Sequence, residues 1–320
     1  MGFLKQFLNY HHICIQCHNN PDADALASAY GLYCYFTAHH VQADIVYGGE
    51  QPIKKKYLKY MLDQCSIPAR YVDSLPDCDL LLIADGQYGL GNVQKFEAPD
   101  IAIVDHHLQM VEDNPQFFID NNYQSCSTIV WHMLNEEHYP VKDHPELCIA
   151  LLYGLYTDTS SYNDLYKPYD LKMREELNGD YPVLERLKKS CMSLADLMIA
   201  GDALHNFYFD TERGYILISA IHCEQAVLGI IGDMAICVDV AKVCLTYTDV
   251  PDGYQISIRS CDRNYPANQI IQVFCKDLGN GGGHVDKAGG IIFQKNLDQL
   301  YKGIKVNDVF TERLNQILQV

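Results

Sequence analysis

Two short apolar runs in this chain end the same way. Leu80-Leu81-Leu82-Ile83-Ala84 runs straight into Asp85, and Ile101-Ala102-Ile103-Val104 runs straight into Asp105-His106-His107. An unbroken apolar run of this length reads as a strand buried on both faces, because successive side chains alternate between two layers that must both be apolar. Residues 13–17 and 44–47 read the same way. Helical patterns at 25–38, 127–135 and 146–156 lie between or after these strands. Strand and helix in alternation predict an α/β fold with a mostly parallel sheet covered by helices. Such sheets bind ligands beyond the carboxyl ends of their strands, and the acids and imidazoles stand there.

The 320 residues are enough for two domains. Turn chemistry at Asn178-Gly179-Asp180-Tyr181-Pro182 closes the first half, and an apolar helical pattern over 183–199 follows. From about Gly214 the texture changes. Strands are expected at 215–220, 236–248 and 254–260, then a helix at 267–278. A glycine-rich loop leads to a strand at 290–293, and a last helix to Leu318 is capped by Asn307 or Asp308. The expected domains are 1–182, a linker helix region at 183–212 and a smaller α/β domain at 213–320, with a cleft between the two domains.

Four motifs carry chemistry. His18-Asn19-Asn20-Pro21-Asp22-Ala23-Asp24 places three potential metal ligands on a loop stiffened by proline. Asp85 and Asp105-His106-His107 follow the two apolar runs, and Asp158 closes Gly154-Leu155-Tyr156-Thr157-Asp158. An aspartate after a strand is often only a helix cap, and a lone histidine is usually structural. Acids and imidazoles recurring at successive strand ends of one sheet are different. They concentrate negative charge that divalent cations would relieve. Oxygen and imidazole ligands without thiolate suit Mn2+, and also Mg2+, Fe2+ or Co2+. A pair of such ions activates water and supports in-line displacement at phosphorus.

Other features narrow the reading by exclusion. Cys14 and Cys17 have C-x-x-C spacing but fall within a predicted strand. Residues three apart there face opposite sides and cannot chelate together. The 13 cysteines are odd in number, and the N-terminus MGFLKQFLNYHH is too polar for a signal peptide, so reduced thiols and a cytoplasmic location are expected. No apolar run is long enough to span a membrane. The net charge of −17 and the lack of a basic stripe argue against tracking long nucleic acid. Lys54-Lys55-Lys56 reads as a solvated helix face.

Together the four motifs, over roughly residues 10–160, resemble the DHH family of phosphoesterases. That resemblance implies two divalent metal ions, Mn2+ before the alternatives. His18 and Asp22 would hold the first, Asp85 would bridge, and Asp24, His106 and Asp158 would complete the second. As catalytic residues, Asp105 would orient its neighbours and His107 would contact the scissile phosphate or assist proton transfer. Downstream, Gly279-Asn280-Gly281-Gly282-Gly283-His284 and Arg259 in Ser257-Ile258-Arg259-Ser260 resemble the DHH-associated C-terminal domain. There Arg259, Gly282, Gly283 and His284 would bind substrate. Asn280 stands where the family often has another glycine. Lys287 departs from the family's Ala-Ala-Gly, either as a phosphate contact or as a solvent-facing residue.

The expected activity is hydrolysis of linear dinucleotides or very short oligoribonucleotides to mononucleotides. The rivals are a phosphatase of adenosine 3′,5′-bisphosphate and a catalytically silent nucleotide sensor. The family's manganese-dependent pyrophosphatases carry a different, lysine- and arginine-rich second domain. Tyr88, Tyr162 and Tyr265 are candidates to stack on a base.

Overall fold

A computed structural model describes residues 2–49, 51–90, 92–189 and 192–319. The chain divides into two compact units, Met1–Cys191 and Met192–Val320. The first holds a six-stranded sheet made of β1 (His12–Cys17), β2 (Gln42–Tyr47), β3 (Ala69–Tyr71), β4 (Leu80–Ala84), β5 (Ile101–Asp105) and β6 (Phe117–Ile119), every pair parallel. Its helices are α1 (Ala23–Ala38), α2 (Lys56–Gln64), α3 (Cys126–Glu136), α4 (Pro145–Asp158), α5 (Pro168–Glu176) and α6 (Pro182–Lys188). The α/β expectation therefore holds for this unit. Its outer strands β3 and β6 and the helix α2 have no counterpart in the sequence reading. β3 and β6 have three residues each, too few to display a period, and none of them is fully buried.

The strand order is β3-β2-β1-β4-β5-β6. The chain builds outward from β1 through β2 to β3, then returns to lay β4 on the other side of β1. The crevice beyond the carboxyl ends at such a reversal is where doubly wound sheets take their ligands. The helix α1 follows β1 directly and is buried on most sides, against the sheet and against α3 and α4. Its small residues make that possible: a Cβ on Gly31 would stand 2.6 Å from Val130. Cys14 and Cys17 both lie in β1, in the apolar clusters on opposite faces of the sheet, so strand geometry keeps them apart.

The second unit is a mixed six-stranded sheet in the order β11-β12-β10-β9-β8-β7. Its elements are α7 (Leu194–His205), β7 (Tyr208–Asp210), β8 (Tyr215–Ser219), α8 (Gln225–Ala235), β9 (Val243–Val250), β10 (Gly253–Ser260), α9 (Ala267–Cys275), β11 (Gly279–Gly283), β12 (Lys287–Phe293), α10 (Gln294–Leu300) and α11 (Val306–Ile317). Alternation along the strands sorts two cores. Leu217, Leu245 and Ile258 pack with Ile271 and Phe274 of α9 and Phe310 of α11 on one face. Ile216, Ile218 and Cys244 pack with Leu228 and Ile231 of α8 on the other.

Several local expectations are corrected here. The strand expected at 236–248 begins only at Val243, because Val227, Leu228, Ile231 and Ala235 have helical spacing and extend α8 up to Ile236. The apolar pattern over 183–199 is two helices, α6 and α7, which fall in different units. The last helix starts at Val306, with Lys305 at its N-cap position and no side-chain cap from Asn307 or Asp308. Among the described residues no helix is long and apolar enough to cross a membrane.

The glycine-rich segment is not a loop. Gly279–Gly283 is an edge strand paired antiparallel with β12. Gly281 lies against α9, and Gly279 lies against the backbone of β12. A Cβ at Gly281 would stand 2.4 Å from Ile271 and 3.0 Å from the Cys275 sulfur, and one at Gly279 would stand 1.8 Å from the Ile291 carbonyl.

Candidate metal centre

The site is built from the carboxyl ends of β1, β4 and β5 and from the ends of two helices. Beyond β1 the chain is pinned to the segment after β4: Asn19 donates its N–H to Asn92, and its side-chain oxygen accepts from Gln94. Asp22 then caps α1. Its Oδ1 accepts from the N–H groups of Asp24 and Ala25, both at 3.0 Å, and its Oδ2 faces His18 Nε2 at 3.8 Å. Capping thus uses one oxygen and leaves the other turned to the site. His18 hydrogen-bonds the Asn19 carbonyl through Nδ1, which commits Nε2 to the same place.

Asp85 turns the chain out of β4 at φ +60°, a left-handed conformation that Asp and Asn adopt more readily than most residues. Its Oδ2 lies 3.7 Å from His18 Nε2 and its Oδ1 3.4 Å from His106 Nε2. His106 Nε2 is also 3.3 Å from Asp158 Oδ2. Asp158 is the last residue of α4, where the helix dipole disfavours a negative charge and the last turn carries no basic residue. Asp24, fully buried on α1, completes the group. Its two oxygens accept from the N–H groups of Cys126 and Ser127, at 2.7 and 2.9 Å, in the first turn of α3.

The two separations from His106 Nε2, 3.4 Å to Asp85 and 3.3 Å to Asp158, fit ligands of a shared ion better than they fit hydrogen bonds. Donor atoms sharing an ion at bonds of about 2.1 Å stand roughly 3.0–3.4 Å apart, beyond a good hydrogen bond. Asp85 Oδ1 and His106 Nε2 are both buried without a hydrogen-bond partner, a costly state for two polar atoms unless something else binds them. Among the described residues, three groups at this site have donors mutually within 4.8 Å: His18 with Asp22 and Asp85; Asp85 with His106 and His107; and Asp24 with His106 and Asp158. Asp85 and His106 each belong to two of them. The residues present therefore fit a pair of divalent cations.

The electrostatics agree. Burial, then the nearby Asp85, pushes the Asp24 carboxyl up to about 7. Burial, then Asp24 and Asp22, raises Asp158 well above the carboxylate range. For the two imidazoles burial works toward neutrality, but the carboxylates outweigh it. Asp22 takes His18 up to about 10, and Asp85 takes His106 to about 10. Four carboxylates around two imidazoles lack positive charge, and the imidazoles are made to supply it.

Beside this group Asp105 holds two neighbours. Its Oδ1 is 2.8 Å from His107 Nδ1, and its Oδ2 accepts from Gln87 Nε2 at 2.7 Å. Gln87 also donates to the Leu108 carbonyl and accepts from Met110 N–H, stapling the segment after His107. The sequence reading missed Gln87, although its place two residues beyond a strand-end aspartate was a signal. It also missed Gly154. A Cβ there would stand 2.2 Å from Ser127 Oγ and 2.9 Å from Asp24 Oδ1, so a glycine one turn before Asp158 lets α4 approach α1.

In the second unit, Arg259 pairs with Lys287 across β10 and β12, and Gly283 pairs with Ala288, the next residue of β12. His284 N–H then hydrogen-bonds the Lys287 carbonyl. Register thus gathers Arg259, Lys287 and His284 at one end of that sheet, with Gly282 beside them. The Arg259 guanidinium is held by Asp233 and by Ser257 Oγ at 2.9 Å. A Cβ at Gly282 would meet no atom within 4 Å, unlike one at Gly281. Of the tyrosines, the Tyr88 and Tyr265 hydroxyls bond main-chain carbonyls, and Tyr162 packs on Tyr156 and Arg174.

Residues 12–155 match the model of the DHH family, N-terminal domain. An uncharacterized protein of Methanocaldococcus jannaschii is 23% identical over 285 residues, 88% of this chain; the match spans 58% of that relative's length. Among solved structures, an exopolyphosphatase-related protein from Bacteroides fragilis superposes with a TM-score of 0.75 at 18% identity, covering 98% of this chain and 94% of that one. RecJ from Thermus thermophilus in complex with Mn2+ superposes with a TM-score of 0.55 at 12% identity, over 98% of this chain and 53% of RecJ. At these identities the likeness is one of fold.

Proposed function

Residues 12–155 are a DHH-family N-terminal domain, and from that premise we propose that this protein is a metal-dependent phosphoesterase cleaving linear dinucleotides or very short oligoribonucleotides. The observation that carries the reading is the sharing of Asp85 and His106 between neighbouring ligand groups, with Asp85 Oδ1 and His106 Nε2 otherwise unpartnered. His18 and Asp22 would hold one ion and Asp24, His106 and Asp158 the other, with Asp85 available to both groups. RecJ, which shares the fold, was solved with Mn2+ and with Mg2+, and the oxygen and imidazole donors here suit either ion.

Bound there, a pair of divalent cations supplies Lewis acidity, making water a better nucleophile and offsetting charge on phosphorus. The chain's own residues do the rest. Asp105 fixes the His107 ring through Nδ1, leaving Nε2 to carry the transferable proton. Burial works against charge on His107, but the Asp105 hydrogen bond outweighs it and raises its pKa. His107 is therefore suited to donate to a phosphate oxygen or a departing alkoxide. Gln87 holds Asp105 from its other side.

In the second unit Arg259, Gly282, Gly283 and His284 bind a substrate phosphate. The gathering of Arg259, Lys287 and His284 at one sheet end and the unobstructed Gly282 support this role. The net charge of −17 favours a small anion held at such points over long nucleic acid.

The test is turnover, with Mn2+ and with Mg2+, of a matched panel. It comprises linear dinucleotides, RNAs of increasing length, adenosine 3′,5′-bisphosphate, cyclic dinucleotides, pyrophosphate and, because one neighbour in fold is described as exopolyphosphatase-related, polyphosphate. Preference for dinucleotides or short RNA sustains the proposal. Preference for the bisphosphate makes the protein a nucleotide phosphatase, and no turnover makes it a sensor.

A further inference from the structure

A second cluster of metal-binding side chains lies at the other end of the first sheet. His12 and Cys14 are two apart on β1 and share a face. Asp44 of β2 is the register partner of Cys14. The His12, Cys14 and Asp44 donor atoms lie within 4.8 Å of one another, and His12 Nε2 is 2.9 Å from Asp44 Oδ2. Cys78, just before β4 on the other flank of β1, packs in the same apolar cluster as Cys14, beside the three-donor group but outside its 4.8 Å limit. From this end of β1 to its other end is about 17 Å, at roughly 3.3 Å per residue. The cluster is therefore separate from the centre around Asp85.

We propose that His12, Cys14, Asp44 and Cys78 bind a borderline divalent cation of the zinc type. Two thiols, an imidazole and a carboxylate are a four-donor tetrahedral set, softer than the oxygen-rich centre around Asp85. Supporting contacts are in place. Arg70 Nη2 holds Asp44 Oδ1 at 2.8 Å, leaving Oδ2 as the oxygen that faces the other donors. Asp79 accepts the His11 and His12 N–H groups, both at 2.8 Å, and fixes the start of β1. His12 and Asp44 are partly exposed, so the donors have an entry path and room to close on an ion. Binding displaces the protons of both thiols and any proton shared by His12 and Asp44 to solvent. The C-x-x-C spacing in the sequence thus points to the right cysteine with the wrong partner: Cys14 is joined by Cys78, distant in sequence, and not by Cys17.

Cobalt(II) separates this site from the other centre. Thiolate ligation gives Co2+ an intense near-ultraviolet charge-transfer band that oxygen and imidazole ligands do not produce. The full chain, with thiols kept reduced by a phosphine, is titrated with Co2+. The expected result is a thiolate band that saturates, is displaced by Zn2+, persists in Asp85→Asn, and disappears in Cys78→Ser. Cys78 is only partly buried, and circular dichroism confirms that its variant is folded. Absence of the band in the wild type, its survival in folded Cys78→Ser, or its loss in folded Asp85→Asn would each overturn the proposal.

Discussion

Asp105 grips two side chains at once: its Oδ1 lies 2.8 Å from His107 Nδ1 and its Oδ2 2.7 Å from Gln87 Nε2. Cutting the Gln87 contact should leave Asp105 and His107 present but loosely placed. Gln87→Leu is expected to lower kcat about 10–100-fold, the usual scale for losing a group that orients a site, with little change in KM. Steady-state kinetics on the best substrate of the panel checks this. An unchanged kcat would remove Gln87 from the machinery.

Removing the shared ligands should do more. Asp85→Ala and His106→Ala are expected to reduce turnover to near background even at saturating Mn2+. The wild type should gain thermal stability from Mn2+, by about 2.7 kcal/mol at a hundred times the dissociation constant. Asp85→Asn should lose most of that gain in a melting experiment. Wild-type rates in either alanine variant would refute the ligand assignment.

The metal-free protein should weaken as pH rises. Asp24 titrates near 7 in the folded chain against 3.8 unfolded. The folded state therefore holds its proton more tightly, and stability from this group is lost between those values. His18 and His106 titrate near 10 against 6.5. Their contribution is full below 6.5 and is lost on rising through about 10. Melts in EDTA should fall across this span. The gain from added metal should grow, because bound cations favour the deprotonated carboxylates and neutral imidazoles. A metal-free melting temperature that rises with pH would contradict the electrostatic picture.

Gly154 and the glycine strand allow steric and functional roles to be separated. Gly154→Ala pushes a methyl into Ser127 and Asp24 and should cost about 1–3 kcal/mol while weakening metal binding. Gly281→Ala should also destabilise, against Ile271. Gly282→Ala meets nothing and should melt like the wild type. If the backbone at Gly282 approaches substrate, that variant should nevertheless raise KM. Arg259→Ala should raise KM about tenfold or more, the worth of a charge-assisted hydrogen bond. An unchanged KM in both would separate the second unit from substrate.

The central strands and the residues that end them were legible because each signal is local. Five apolar residues followed by an acid describe β4 and Asp85 without reference to anything distant. Reading failed where the reason lies across the fold. Gly154 is glycine because of Asp24, far away in sequence. Gly281 is glycine because α9 packs on it, and pairing with the distant β12 makes a strand of an apparent loop. The residues of α8 passed unread and Ile236 was read as strand, since apolar runs rich in branched residues satisfy both periods until burial decides between them. Edge strands of three residues leave no periodic trace.

The turn at Asp85 also limits how this chain can drift. At φ +60° the backbone accepts asparagine or glycine readily and most other side chains poorly. Both replacements lie one nucleotide away from an aspartate codon. A descendant that gave up hydrolysis while keeping its shape would pass through one of those two residues here. In any set of related sequences, the letter at this position should therefore sort working hydrolases from folded proteins that only bind.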